Sequence, residues 1–143
     1  VNESQNAPQE EPPRFGPHDL LGFHKVMSTG DAPTSEAYLD AFLAINLQMT
    51  KTRRKLLRTH YRAFNHQATM SQIAEAMGWR SYSSANVHYG RLALLVGKQT
   101  GFHFHDCYLR TLCTFLEPEE FGDHWLIIMR PQVAEALEQL EWV

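Results

Sequence analysis

The residues with the clearest chemical potential are four cations at helical spacing. Lys51, Lys55, Arg58 and Arg62 recur at intervals of four, three and four residues. At about 100° per residue they share one helix face, with Leu56, Leu57, His60 and Phe64 predicted opposite. No acid interrupts the run from Lys51 to Arg62. Like charges at this spacing cost an isolated helix about 0.2–0.5 kcal/mol per pair. A polyanion alongside removes that cost, because lysine and arginine neutralise phosphates and release counterions. Arg80 and Lys98 extend the candidate phosphate-binding set.

A second group has the chemistry of base reading. Ser83, Ser84, Asn86, Val87 and Arg91 lie on or beside one side of a predicted helix, opposite Ala85, Tyr89, Leu92, Ala93 and Val96. Serine hydroxyls reach phosphates or bases, arginine takes a guanine edge, and valine meets a thymine methyl. Gly90 allows close approach, Asn86 and His88 flank the face, and Leu94 on the same side suits a protein partner.

Other chemistry finds less support. His103, His105, Asp106 and Cys107 are potential zinc ligands, but no second ligand cluster accompanies them. A histidine-rich loop is the reading preferred, and neither metal nor cofactor is expected. No Gly-x-Ser-x-Gly elbow, phosphate-binding glycine loop or paired acidic site is present, so no enzyme is expected. Cys107 and Cys113 do not make a disulfide framework and read as reduced thiols in a cytoplasmic protein. The first thirteen residues are polar and acidic, unlike a signal peptide, and no membrane association is expected.

The 143 residues carry a net charge of −3, but unevenly. Residues 50–98 hold nine basic side chains and one acidic; both flanks are acidic. Local charge sets what the middle attracts, and the basic middle is expected to form a single positive face. The competing possibility is that the acidic ends fold back and neutralise it.

These residues need elements to hold them. Proline-rich residues 1–33 predict a disordered leader, and 34–143 a single domain. Thr34-Ser35-Glu36-Ala37 starts a helix whose apolar stripe is Leu39, Phe42, Leu43 and Leu47. A second helix runs from Lys51 to about Phe64, capped by Thr50. Thr69 and Gln72 have capping-box spacing for a short helix from Met70 to Met77, which Gly78 ends. After a turn, Trp79 to Ser83, a fourth helix runs to about Gly97. Tyr108–Leu116 and His124–Met129 predict a hairpin around the acidic turn Glu117 to Asp123, which should point away from DNA. Pro131 begins a last helix with Val133, Leu137 and Leu140 buried. The fold class is mainly α: a helix-turn-helix, winged-helix-like domain with a small β-hairpin and a C-terminal helix.

The segments Leu56–Ala63, Gln72–Trp79 and Ala85–Leu92, with Trp125–Pro131 and Val133–Trp142, resemble a bacterial domain that accompanies HNH nucleases. The resemblance spans roughly residues 50–143, and Ala85-Asn86 with Tyr89-Gly90 is its most specific part. It implies a module that recognises double-stranded DNA in restriction, defence or mobile-element systems. The sequence reaches Val143 without an HNH segment, so the expectation is DNA targeting without catalysis, with a nuclease as a possible separate partner. The alternative is an interaction adaptor whose basic face binds an acidic protein.

Overall fold

The computed structural model describes residues 32–119 and 124–143. The chain is mainly helical, with one small antiparallel sheet and a C-terminal helix. The expected leader up to residue 31 and the tip of the acidic turn, residues 120–123, lie outside the described residues.

Helix α1 is Ser35–Ala44, started by Thr34, whose hydroxyl oxygen accepts the Ala37 amide. Its buried residues are Tyr38, Ala41 and Phe42, followed by Ile45. The predicted stripe is therefore shifted: Leu39 is half-buried, Leu43 is largely exposed and Leu47 is fully exposed. Two causes act. The Tyr38 hydroxyl donates to the Thr111 carbonyl at 2.6 Å, which turns that ring inward. The helix also ends at Ala44, so a 3-10 turn at Asn46–Gln48 carries Leu47 off the helical wheel.

Helix α2, Lys51–Arg62, is capped by Thr50, which accepts the Arg53 amide. Leu56, Leu57 and His60 are buried as the wheel requires. Phe64 is not: it is 85% exposed. The helix stops at Arg62, and Ala63 takes extended backbone (φ −65°, ψ 154°), which carries Phe64 off the helical path; left-handed backbone at Asn65 and His66 then completes the turn. The His66 ring Nδ1–H donates to the Tyr61 carbonyl at 2.6 Å and holds this turn.

Strand β1, Gln67–Thr69, is three residues long and has no sequence pattern that signals it. It leads into helix α3, Met70–Met77, where both halves of the Thr69–Gln72 capping box form. Gly78 ends α3 at φ 78°, and the Trp79 amide closes onto the Ala74 carbonyl at 2.8 Å. Helix α4, Tyr82–Thr100, begins earlier than the sequence suggests, so the connecting turn is only residues 78–81. Ala85, Tyr89, Leu92, Ala93 and Val96 are all fully buried, as their spacing predicts.

The expected strand at Tyr108–Leu116 divides into a 3-10 turn, Tyr108–Thr111, and strand β2, Cys113–Leu116. Side chains claim the carbonyls that a longer strand would need. Arg130 donates through Nε and Nη2 to the Arg110 carbonyl, and Tyr38 takes that of Thr111. Strand β3, Leu126–Met129, is central in the order β1-β3-β2, with Ile127 opposite both Ala68 and Phe115. The expected hairpin is thus two of three strands. Helix α5, Pro131–Leu140, has proline in its first turn and packs along α1 through Val133, Ala134, Ala136 and Leu137. Leu140 is half-buried.

One polar network crosses the core. The His60 Nδ1 accepts the Tyr89 hydroxyl at 2.7 Å, and its Nε2–H donates to the Ile127 carbonyl at 3.0 Å. The Tyr89 oxygen in turn accepts the Cys113 thiol at 3.8 Å. These contacts join α2, α4, β2 and β3. Burial disfavours the imidazolium and lowers the His60 pKa from 6.5 to about 4. The folded state therefore binds fewer protons than the unfolded chain between those values. His60 contributes full stability above about pH 6.5, and that contribution is lost as pH falls towards 4. Urea unfolding at intermediate pH values should show the loss, and His60→Gln should be less stable at pH 7 with a flatter slope between pH 6.5 and 4. An unchanged slope would show that His60 does not titrate in this way.

Candidate nucleic-acid interface

Helix α4 follows α3 across a four-residue turn because Gly78 supplies the left-handed conformation there without a Cβ clash. Alanine at position 74 is buried where α3 meets its neighbours. The pair packs α4 inward through Tyr89 and leaves its other side open. Counting about 100° per residue from Tyr89, Ser84, Val87, Arg91 and Lys98 all fall within about 40° of the opposite side. Val87 is half exposed, and Ser83, Arg91 and Lys98 are exposed. Among the described residues, none of the side chains of Ser83, Ser84, Arg91 and Lys98 has a hydrogen-bond or ion-pair partner. Neither serine caps the helix: the cap position is Ser81, which makes no side-chain bond. Asn86 is half-buried and sits only about 60° from Tyr89, so it lies towards the core side rather than on the open face. Arg80 is exposed in the turn before α4.

The N-terminal ends of α3 and α4 meet the start of β3. The Ser71 hydroxyl lies 3.1 Å from His124 Nε2, and Tyr82 meets the same ring edge-on at 5.0 Å. Trp79 stacks on His88 with ring centroids 4.5 Å apart. This rim of aromatic and imidazole rings was missed in the sequence. Its members are separated by up to 53 positions, and no spacing rule connects His124 to Ser71.

The basic stripe stands on the outward side of α2. Lys51, Lys55 and Arg62 are exposed, and Arg58 is half-buried with its Nη1 3.5 Å from the Trp142 carbonyl. Among the described residues none of the four forms an ion pair, and none is matched to Glu135, Glu138 or Glu141. Glu138 accepts the Tyr61 hydroxyl at 2.6 Å instead, which raises the Tyr61 pKa. The neighbouring Arg53 and Arg54 are structural. Arg53 donates to the Gln48 carbonyl, while Arg54 reaches the Asn46 side chain and lies 4.1 Å over the Trp142 ring.

The stripe and the open face of α4 do not form one surface. Both are turned about 160–220° from the residues that join their helices, His60 on α2 and Tyr89 on α4. Those two side chains point at each other across 2.7 Å. The outward faces therefore look away from each other, and the expectation of a single positive face is corrected.

The histidine-rich loop forms no metal centre among the described residues, where no three histidine, cysteine or acidic side chains converge. The His103 and His105 rings meet edge-on at 5.5 Å. Burial pushes the Cys107 and Cys113 thiols up to about 12, far from thiolate chemistry. The Asp106 carboxylate pairs with Arg110 at 2.8 Å. Among the described residues no helix is long and apolar enough to cross a membrane. No protein-family model, curated protein or solved structure matches the chain.

Two glycines of α4 separate its open side from its packed side. A Cβ at Gly90 would meet nothing within 4 Å, whereas one at Gly97 would lie 2.8 Å from the His103 Cβ and 3.1 Å from the Thr111 Oγ1. Gly90→Ala should therefore stabilise the protein by about 0.5–1 kcal/mol through helix propensity alone. Gly97→Ala should destabilise it by about 1–3 kcal/mol through overpacking. Urea denaturation of the two variants checks the order; a reversed order would place the packed side of α4 wrongly.

Proposed function

We propose that the protein binds duplex DNA, with α4 lying in the major groove, and performs no catalysis of its own. The observation that carries this reading is the open face of α4. It is a long, well-anchored helix whose outward residues Ser83, Ser84, Val87 and Arg91 combine polar, apolar and cationic side chains that have no bonding partner among the described residues. A major groove about 12 Å wide admits such a helix, and its base edges offer matching chemistry. Arg91 takes a guanine edge and Val87 a thymine methyl. Ser83 and Ser84 meet phosphate or base near the start of the helix, where recognition helices make most of their contacts. Gly90 lets the backbone approach. Arg80, before the helix, and Lys98, near its end, supply phosphate contacts that add affinity without sequence information.

A restriction, defence or mobile-element setting, with a separate nuclease as partner, is the context that the resemblance to HNH-associated domains suggests. Two unpaired thiols, Cys107 half-buried and Cys113 buried, fit a reducing, cytoplasmic compartment.

The reading is tested by titrating random and selected duplexes at two salt concentrations. Lys98→Ala should weaken binding to all duplexes alike and flatten the salt slope by about one unit. Arg91→Ala should cost about 1–3 kcal/mol on the selected site and much less on random sequence. Absence of binding to any duplex at low salt would contradict the proposal.

A further inference from the structure

We infer that the stripe on α2 is a second DNA-binding surface, so that one molecule holds two duplex segments at once, one on α4 and one on α2. Phosphate binding by the stripe is independent of the α4 reading; the bridging rests on it. Four observations lead here. The His60–Tyr89 hydrogen bond sets α2 and α4 face to face through their inner sides, which points Lys51, Lys55, Arg58 and Arg62 away from the open face of α4. A straight duplex seated on α4 therefore leaves the stripe uncovered. The four cations extend over eleven residue steps, about 16 Å at a rise of 1.5 Å per residue, along which a duplex presents about ten phosphates. No ion pair among the described residues neutralises them, and Glu138 on the flank of the stripe is engaged by Tyr61.

The fourth observation selects the partner. The exposed side chains from Lys51 to Arg62 are Lys51, Thr52, Lys55 and Arg62, with no large apolar side chain among them; the rings beside the stripe, Tyr61 and Trp142, are partly buried against the core. Protein interfaces concentrate their affinity in buried aromatic and aliphatic anchors and are depleted in lysine. Phe64, the exposed aromatic nearest in sequence, lies beyond the end of the helix, past Arg62. A surface of charge without an anchor fits a phosphate backbone better than an acidic protein.

The test is sandwich capture by the full chain. A biotinylated 20-base-pair duplex is immobilised, and retention of a second, fluorescent duplex is measured across a salt series. The wild type should retain the second duplex at low salt and release it as salt rises, with a log–log slope of about −3 to −4. The double variant Lys55→Glu/Arg62→Glu changes two exposed side chains that have no partner among the described residues. It should lower second-duplex capture at least tenfold while leaving single-duplex affinity within about threefold. Undiminished capture by this variant would point to bridging by a dimer and overturn the inference. So would wild-type binding that saturates at one duplex, which would leave the α4 reading intact. Loss of single-duplex binding in the stripe variant, with none in Arg91→Ala, would make the stripe the sole DNA surface and overturn both. Retention of polyglutamate but not of a second duplex would identify an acidic-protein site and overturn the inference.

Discussion

The arrangement of this domain depends on one buried imidazole. His60 has no exposed surface, and both of its ring nitrogens are satisfied, one by a tyrosine hydroxyl and one by a strand carbonyl. A buried polar group that loses a partner costs about 1–3 kcal/mol, so the bonded geometry is strongly preferred. Satisfying it fixes three things together: the rotation of α2, the rotation of α4 and the position of β3. Because the two helices meet through these side chains, the residues about 180° away on each helix are turned outward, and Lys51, Lys55 and Arg62 on α2 and Val87, Arg91 and Lys98 on α4 are exposed. The basic stripe and the open face of α4 are consequences of the same bond, and so is their divergence.

A second set of buried bonds secures the other half of the domain. Arg130, 3% exposed at the start of α5, donates twice to the Arg110 carbonyl and stacks near Phe102. Burial lowers its pKa, and Tyr38 shifts upward for the same reason. Together they tie α1 and α5 to the 3-10 turn at Tyr108–Thr111. Thr111 passes the constraint on through its hydroxyl, which donates to the Phe102 carbonyl and sits where a side chain on Gly97 would be. The far end of α4 is thus held by close packing, while its beginning is held by the tight turn after α3.

Much of this was legible where a local rule acts within four residues. Thr34, Thr50 and the Thr69–Gln72 box mark their helix starts because capping is a contact between near neighbours. Gly78 marks an end because only a left-handed residue fits there. The buried side of α4 follows from simple periodicity over nineteen residues. The failures have a common cause in long-range contacts and breaks in the wheel. Leu43 and Leu47 continue an apolar pattern that the turn after Ala44 interrupts, and Phe64 does the same beyond Arg62. Strand β1 has three residues, too few to show a period, and exists because β3 pairs with it. The candidate site residues were legible as two groups, and their separation was not. The polar character of His60 on an otherwise apolar face was the one available hint that its helix meets a specific partner.

The central claim is that α4 presents its outward face to duplex DNA. Backbone amide shifts of the isotopically labelled protein, followed by NMR as a short duplex is added at low salt, test it most directly. The account predicts the largest changes at Ser83, Ser84, Val87 and Arg91, before any at Lys51 to Arg62, with the amides of α1 and α5 little moved. Changes that begin on α2 and leave Ser83 to Arg91 in place would contradict it.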